Sequence, residues 1–211
     1  MSNFKFLKNP ITSNYLDLKE SIFGPDICWL YQSRQTDYKV NSSSDYCSSV
    51  PLFYHNVLER PESVEQGTSF DDIDCRIRSG VYDRIKTVIE EIFDANNIKV
   101  KKYHRISVNC CLNVNTHVQS PVHVDHLFEH QQMIIYLSTS LAPTNIYAEK
   151  YTSGYDVNKS SYYLGLEKKD ILLKIYPHED QIVTFDGLYY HSYDYPTTDK
   201  QRRIVIVCTY S

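Results

Sequence analysis

The sequence predicts a mainly β domain with flanking helices, built as a barrel or jelly roll. Three observations predict it. From Lys99 onward the chain carries seven short β-forming runs, at residues 100–103, 106–114, 133–137, 145–151, 172–176, 182–185 and 203–210, with no helical pattern between them. One strong amphipathic stripe precedes these runs. A length of 211 residues, 42% of them hydrophobic and 23% charged, suits a single globular domain with a substantial core. We take residues 1–211 as that one domain. Residues 1–97 supply N-terminal helices and supporting strands, and residues 98–211 form the β core.

The elements follow in order. Ser13 is placed to cap a short helix that stops before Gly24-Pro25, with Tyr15, Leu16, Leu18, Ile22 and Phe23 as its apolar side. Residues 28–31 read as a strand, 33–49 as a polar loop and 52–58 as a second strand. Residues 59–76 are acidic and contain Pro61 and Gly67; they read as a connector rather than a lid. The clearest helix comes next. Val81, Ile85, Val88, Ile89, Ile92 and Phe93 fall at offsets 0, 4, 7, 8, 11 and 12, a single stripe. Ser79 or Gly80 starts this helix, Asn96-Asn97 ends it, and its role is to buttress one face of a sheet.

Composition excludes several function classes. A net charge of −4 and a pI near 6.0 argue against nucleic acid as an obligatory partner. No apolar run approaches the roughly 18 residues that span a bilayer. The segment 1–8 lacks an apolar signal core, so the expected location is cytoplasmic and the cysteines are expected as thiols. Cys28, Cys47, Cys75, Cys110, Cys111 and Cys208 contain no Cys-x-x-Cys pair, which argues against a zinc ribbon. Cys110 and Cys208 read as small core residues.

The chemistry concentrates in Pro121-Val122-His123-Val124-Asp125-His126 and in Phe185-Asp186-Gly187-Leu188-Tyr189-Tyr190-His191. If 123–125 is extended, His123 and Asp125 share a face and Val124 points away. Adding His191 gives two imidazoles and one carboxylate on one side of a metal, the facial triad of non-haem Fe(II) oxygenases. A His-x-Asp pair alone is weak; context strengthens it. Arg203 opens an apolar run 12 positions after His191 and shares a strand face with Val205 and Val207, which puts Arg202 on the opposite face. A buried guanidinium needs an anion, and its fork suits a carboxylate. His126, next to Asp125, is expected to point off the metal face, and His178 to sit in a solvated turn.

These pieces resemble the 2-oxoglutarate and Fe(II)-dependent oxygenase superfamily, in the prolyl-hydroxylase-like branch common in phages and marine microbes. The matching segments are Gln119-Ser120-Pro121-Val122-His123-Val124-Asp125, Met133-Ile134-Ile135-Tyr136-Leu137, Ile182-Val183-Thr184-Phe185-Asp186-Gly187 leading to His191, and Arg203-Ile204-Val205-Ile206. The resemblance implies a double-stranded β-helix (jelly roll, cupin-like). It implies a dioxygenase, a hydroxylase that turns 2-oxoglutarate into succinate and CO2. Catalytic His123, Asp125 and His191 would hold Fe(II), and Arg203 would pair with the distal carboxylate of 2-oxoglutarate. Tyr136 and Asn109 are further candidates for contact with that cosubstrate, and ascorbate is a further implied cofactor. The substrate is a small molecule or a protein side chain. Asp125 disfavours halogenation, because halogenases of this type commonly replace that carboxylate. Where the family often carries a Gly-Gly-Thr-like stretch, this chain reads Leu141-Ala142-Pro143-Thr144-Asn145-Ile146-Tyr147. Two alternatives stand beside this reading: a catalytically inactive cupin-like binding or structural module, and a structural zinc protein, which would need a fourth protein ligand.

Overall fold

The computed structural model describes residues 4–25, 27–32, 51–59, 75–114, 117–152, 163–164, 170–198 and 201–211. Thirteen strands and two helices lie among them. The strands are β1 (Phe4–Leu7), β2 (Leu30–Gln32), β3 (Leu52–Glu59), β4 (Arg76–Ile77), β5 (Tyr103–Leu112), β6 (Val122–His123), β7 (Gln131–Tyr136), β8 (Thr144–Lys150), β9 (Tyr163–Leu164), β10 (Ile171–Ile175), β11 (Ile182–Asp186), β12 (Tyr189–Tyr193) and β13 (Arg202–Tyr210). The helices are α1 (Ser13–Phe23) and α2 (Tyr82–Ala95). Two sheets result. The larger runs β1-β11-β7-β13-β5-β3-β2, with β4 beside β3, and the smaller runs β10-β8-β12-β6-β9. Every pairing in both is antiparallel.

A period of two sorts the side chains of the larger sheet. On β13, Ile204, Ile206, Cys208 and Tyr210 join an outer core with Ile85, Val88, Ile89, Ile92 and Phe93 of α2 and Tyr15, Leu18 and Ile22 of α1. Val205 and Val207 join an inner core with Ile134 and Tyr136 of β7, Val183 and Phe185 of β11, and Ile146, Ile175 and Tyr189 of the smaller sheet. The helices therefore cover one face of the larger sheet, and the smaller sheet faces the other. The stripe expected for α2 lies against the sheet, with Val81 packed at its edge. Phe93 is 2% exposed and its ring lies 4.6 Å from that of Tyr210. Phe93→Ala should cost about 3–5 kcal/mol in denaturant unfolding, the loss expected when a buried aromatic leaves a cavity; a change near zero would mean that the stripe does not carry the core.

Several local expectations are corrected. Thr12, not Ser13, caps α1: its hydroxyl accepts from the Tyr15 amide at 3.2 Å. Leu16 and Phe23 of α1 are exposed, because at 100° per residue they lie about a quarter-turn from the buried line of Tyr15, Leu18 and Ile22. The strand expected at 28–31 begins at Leu30. Residues 100–103 and 106–114 do not form two strands; β5 is continuous from Tyr103 to Leu112. Before it, the Lys101 and Lys102 amides donate to the Ser211 carbonyl. The short strands β1 and β12 fell outside the seven runs. The expectations for 33–49 and nearly all of 59–76 lie outside the described residues. Cys110 and Cys208 are buried, and no disulfide joins two of the described cysteines. Among the described residues, no helix is long and apolar enough to cross a membrane.

Candidate active site

The site forms where β6 and β12 of the smaller sheet run side by side. His123 on β6 stands opposite His191 on β12 in the antiparallel register, and the two rings lie 4.5 Å apart. Asp125 follows two residues after His123, beyond the end of β6. Its Oδ1 lies 3.8 Å from His123 Nε2, and one donor atom from each of the three residues falls within 4.8 Å of the others. Asp125 and His191 are buried and His123 is half-buried.

Hydrogen bonds aim both imidazoles. His123 Nδ1 lies 2.9 Å from the Pro121 carbonyl, and His191 Nδ1 lies 3.2 Å from the Tyr189 carbonyl. A carbonyl can only accept, so each Nδ1 carries a proton, and Nε2 is the atom of each ring that can offer a lone pair. Burial, and then the neighbouring His123, hold the His191 imidazole down to about 3, so it is neutral at physiological pH. Burial raises the Asp125 carboxyl, but the Arg105 guanidinium and the surrounding imidazoles outweigh it and hold the group well below the usual carboxylate range. The trio therefore offers two imidazole nitrogens and one ionised carboxylate oxygen.

Two residues of the larger sheet reach these donors. Arg105 on β5 donates from Nη1 to Asp125 Oδ1 at 2.8 Å. The Gln132 amide nitrogen on β7 lies 3.3 Å from His191 Nε2, where it donates to that lone pair. Behind the trio a cavity of ≈ 110 Å³ extends between the sheets. Its lining includes Asn109, Ile134, Thr144, Tyr193, Arg203, Val205 and Val207.

Arg203 points into this cavity and is 3% exposed. Its Nη2 donates to Thr144 Oγ1 at 2.7 Å, and its guanidinium sits 4.7 Å from the Tyr193 ring centre and 5.7 Å from that of Tyr136. Its Nε is buried and has no hydrogen-bond partner among the described residues. No carboxylate pairs with it among the described residues, so its charge is balanced by no side chain described. Arg202 points the other way, with its guanidinium 5.1 Å from the Phe23 ring centre. Tyr136 is buried; its hydroxyl lies 2.8 Å from Thr144 Oγ1, so it reaches Arg203 through a shared threonine. Asn109 lines the cavity and accepts from the Ser107 hydroxyl at 2.8 Å.

His126 and His178 are not among the three converging donors. His126 is buried and its Nε2 lies 2.9 Å from Thr209 Oγ1; His178 is exposed. His126 belongs to a layer of rings with His104, Phe128 and His130. Gly187, in the turn between β11 and β12, is required by that layer: a Cβ there would come within 2.0 Å of His130 Nε2. Burial, then the neighbouring His130, hold His104 down to about 4. An unfolded histidine protonates near 6.5, so the unfolded state gains a proton first as pH falls. The contribution of His104 should be complete above about 6.5 and fall by about 1.4 kcal/mol per pH unit down to about 4. Urea titrations of the chain and of His104→Leu should show a shallower slope in the variant; equal slopes would mean that His104 is already protonated when folded.

Sequence reading did not single out Arg105, Gln132, Thr144 or Tyr193. For Arg105 a signal existed: Arg105, Ser107 and Asn109 alternate with Ile106, Val108 and Cys110, as a strand with one polar face does.

No protein-family model and no curated protein matches the chain. Solved structures do, over nearly its whole length. A 2OG-Fe(II) oxygenase family oxidoreductase from Burkholderia pseudomallei superposes with a TM-score of 0.57 at 8% identity, over 99% of this chain and 85% of that one. A prolyl hydroxylase from Trichoplax adhaerens, solved with a hypoxia inducible factor peptide, gives 0.53 at 11% identity, over 100% and 84%. The epimerase SnoN, solved with Fe3+, alpha ketoglutarate and nogalamycin RO, gives 0.57 at 8% identity, over 99% and 78%. At these identities the likeness is one of fold. The chain has the fold of solved 2OG-Fe(II) oxygenases: two antiparallel sheets face to face, flanked by helices.

Proposed function

We propose that this protein is an Fe(II)- and 2-oxoglutarate-dependent dioxygenase that hydroxylates a substrate and releases succinate and CO2. One observation carries the reading. His123, Asp125 and His191 converge at a cavity that also holds the buried guanidinium of Arg203. The donor set suits iron: two imidazole nitrogens and a carboxylate, with room on the cavity side for oxygen ligands. Arg203 suits a dicarboxylate, because a guanidinium buried without a carboxylate is costly until an anion pairs with it. Iron held by the trio would supply dioxygen activation coupled to decarboxylation of the 2-oxo acid.

The chain's own residues prepare that chemistry. The carbonyls of Pro121 and Tyr189 fix the tautomers of the two histidines. Arg105 keeps Asp125 ionised. Thr144 and the Tyr136 hydroxyl orient Arg203, while Ile134, Val205 and Val207 form the apolar wall that keeps water from the cosubstrate. The finer parts of the reading belong to the same proposal. The two sheets are the halves of a double-stranded β-helix of the jelly-roll, cupin-like kind, in the prolyl-hydroxylase-like branch. Ascorbate serves as a reductant that keeps the metal ferrous. A small molecule or a protein side chain is the substrate.

Purified protein reconstituted with ferrous iron, 2-oxoglutarate and air tests the reading. Succinate release should depend on both additions and stop with a chelator. Iron binding without any succinate, even across a broad substrate panel, would leave the inactive cupin-like module as the better account.

A further inference from the structure

We infer that the substrate is a small molecule bearing a carboxylate, and that Arg105 receives it at the mouth of the cavity. The inference rests on the dioxygenase reading above and adds the substrate's chemical class to it.

Position is the first argument. Two guanidiniums line the cavity, and of the two Arg105 is the one bonded to the trio, through Asp125. Arg203 is buried at the closed end, whereas the Arg105 side chain is 28% exposed beside His123, itself 25% exposed. Solvent reaches the trio beside Arg105 and His123, and a substrate that approaches the metal there passes this arginine.

Charge is the second argument. Asp125 is the only acid among the described lining residues, and Arg105 and Arg203 are the only permanent cations. Ferrous iron adds two positive charges, and 2-oxoglutarate adds two negative ones. Imidazoles that ligate a metal add no charge, so one positive charge is left over. Arg203 is already matched to the cosubstrate, so the surplus lies at Arg105. In a partly desolvated site an uncompensated charge is costly, and one carboxylate cancels it. A dianionic phosphate would overshoot, and a cation would add to the excess.

The third argument is valence. A guanidinium carries five N–H donors, and Arg105 spends one of them on Asp125 among the described residues. A metal on Asp125 competes with Arg105 for the same carboxylate charge. The hold on the arginine loosens when the site is loaded, and its fork turns to an incoming acid in bidentate geometry.

The test is an anaerobic titration. The chain is loaded with ferrous iron and 2-oxoglutarate, and the visible absorption of the chelate is followed. The probes are the common L-amino acids and short aliphatic carboxylic acids, each paired with its primary amide. At least one acid should perturb the band at a concentration at least about 10-fold below its amide, the preference expected from a charge-assisted pair at a partly exposed site. In Arg105→Gln that preference should collapse, and in Arg105→Lys, which keeps the charge and loses the fork, it should weaken. Acids and amides acting alike, or no acid acting at all on the wild-type chelate, overturns the inference. So does an Arg105→Gln protein that needs more iron to form the chelate yet, once saturated, keeps the acid preference, which would make Arg105 a positioning residue for Asp125 alone. The wild-type comparison of acid with amide decides even if the variants fold poorly. Failure of the parent reading looks different: the wild type would form no chelate before any probe is added.

Discussion

Asp125→Ala should abolish succinate release and weaken ferrous-iron binding by at least about 100-fold, the upper end of what is lost when a mere outer partner of a ligand is removed. Asp125 is the only carboxylate among the described lining residues, so none described can take its place as a hard oxygen donor. The variant also leaves the Arg105 guanidinium without its 2.8 Å partner next to two imidazoles. A positive charge held there opposes a dication as well. Isothermal titration with Mn(II), which avoids oxidation, reads the affinity, and an unchanged affinity would show that the metal sits elsewhere. Far-UV circular dichroism should stay close to wild type, because Asp125 lies beyond the end of β6 and carries no ladder hydrogen bond within a named strand.

Arg203→Ala should raise the 2-oxoglutarate dissociation constant by at least about 30-fold, the change that corresponds to about 2 kcal/mol for one partner of a buried charge pair. Arg203 is 3% exposed, its Nε has no hydrogen-bond partner among the described residues, and the apolar side chains of Val205 and Val207 continue its face of β13. Nothing in that wall can replace a cation. Metal binding should change little, because the trio of donors comes from other strands. Arg202→Ala should be close to neutral, since Arg202 lies over the Phe23 ring on the opposite face. Loss of affinity in Arg202→Ala with retention in Arg203→Ala would put the wrong arginine in the cavity.

The parts legible in the sequence were those written in local period. His123 and Asp125 could be paired because two positions in an extended segment share a face. Arg203 could be separated from Arg202 by the same rule, helped by Val205 and Val207 two and four positions on. The α2 stripe announced itself at helical spacing. What stayed hidden was set by contacts between distant segments. The opposition of His191 and His123 is a register between β12 and β6, and β12 reads Tyr-Tyr-His-Ser-Tyr, with four of its five residues buried and so no polar-apolar alternation to mark it. Thr144 lies in the stretch where this chain departs from the family pattern, yet its hydroxyl meets both Arg203 and Tyr136. Arg105 carried its alternation openly, but its partner lies 20 positions away, off the end of another strand. The caps and faces of α1 went wrong by one residue or a quarter-turn, the scale at which weak propensities stop deciding.

The account stands most directly on where a metal and the cosubstrate bind. Crystals grown anaerobically with Mn(II) and 2-oxoglutarate, with the metal located by its anomalous scattering, would show both. The expected result is one metal about 2.0–2.2 Å from a donor atom each of His123, Asp125 and His191, as nitrogen and oxygen ligands require, and a carboxylate on the Arg203 fork. A metal bound away from these three residues, or 2-oxoglutarate bound without Arg203, would contradict it.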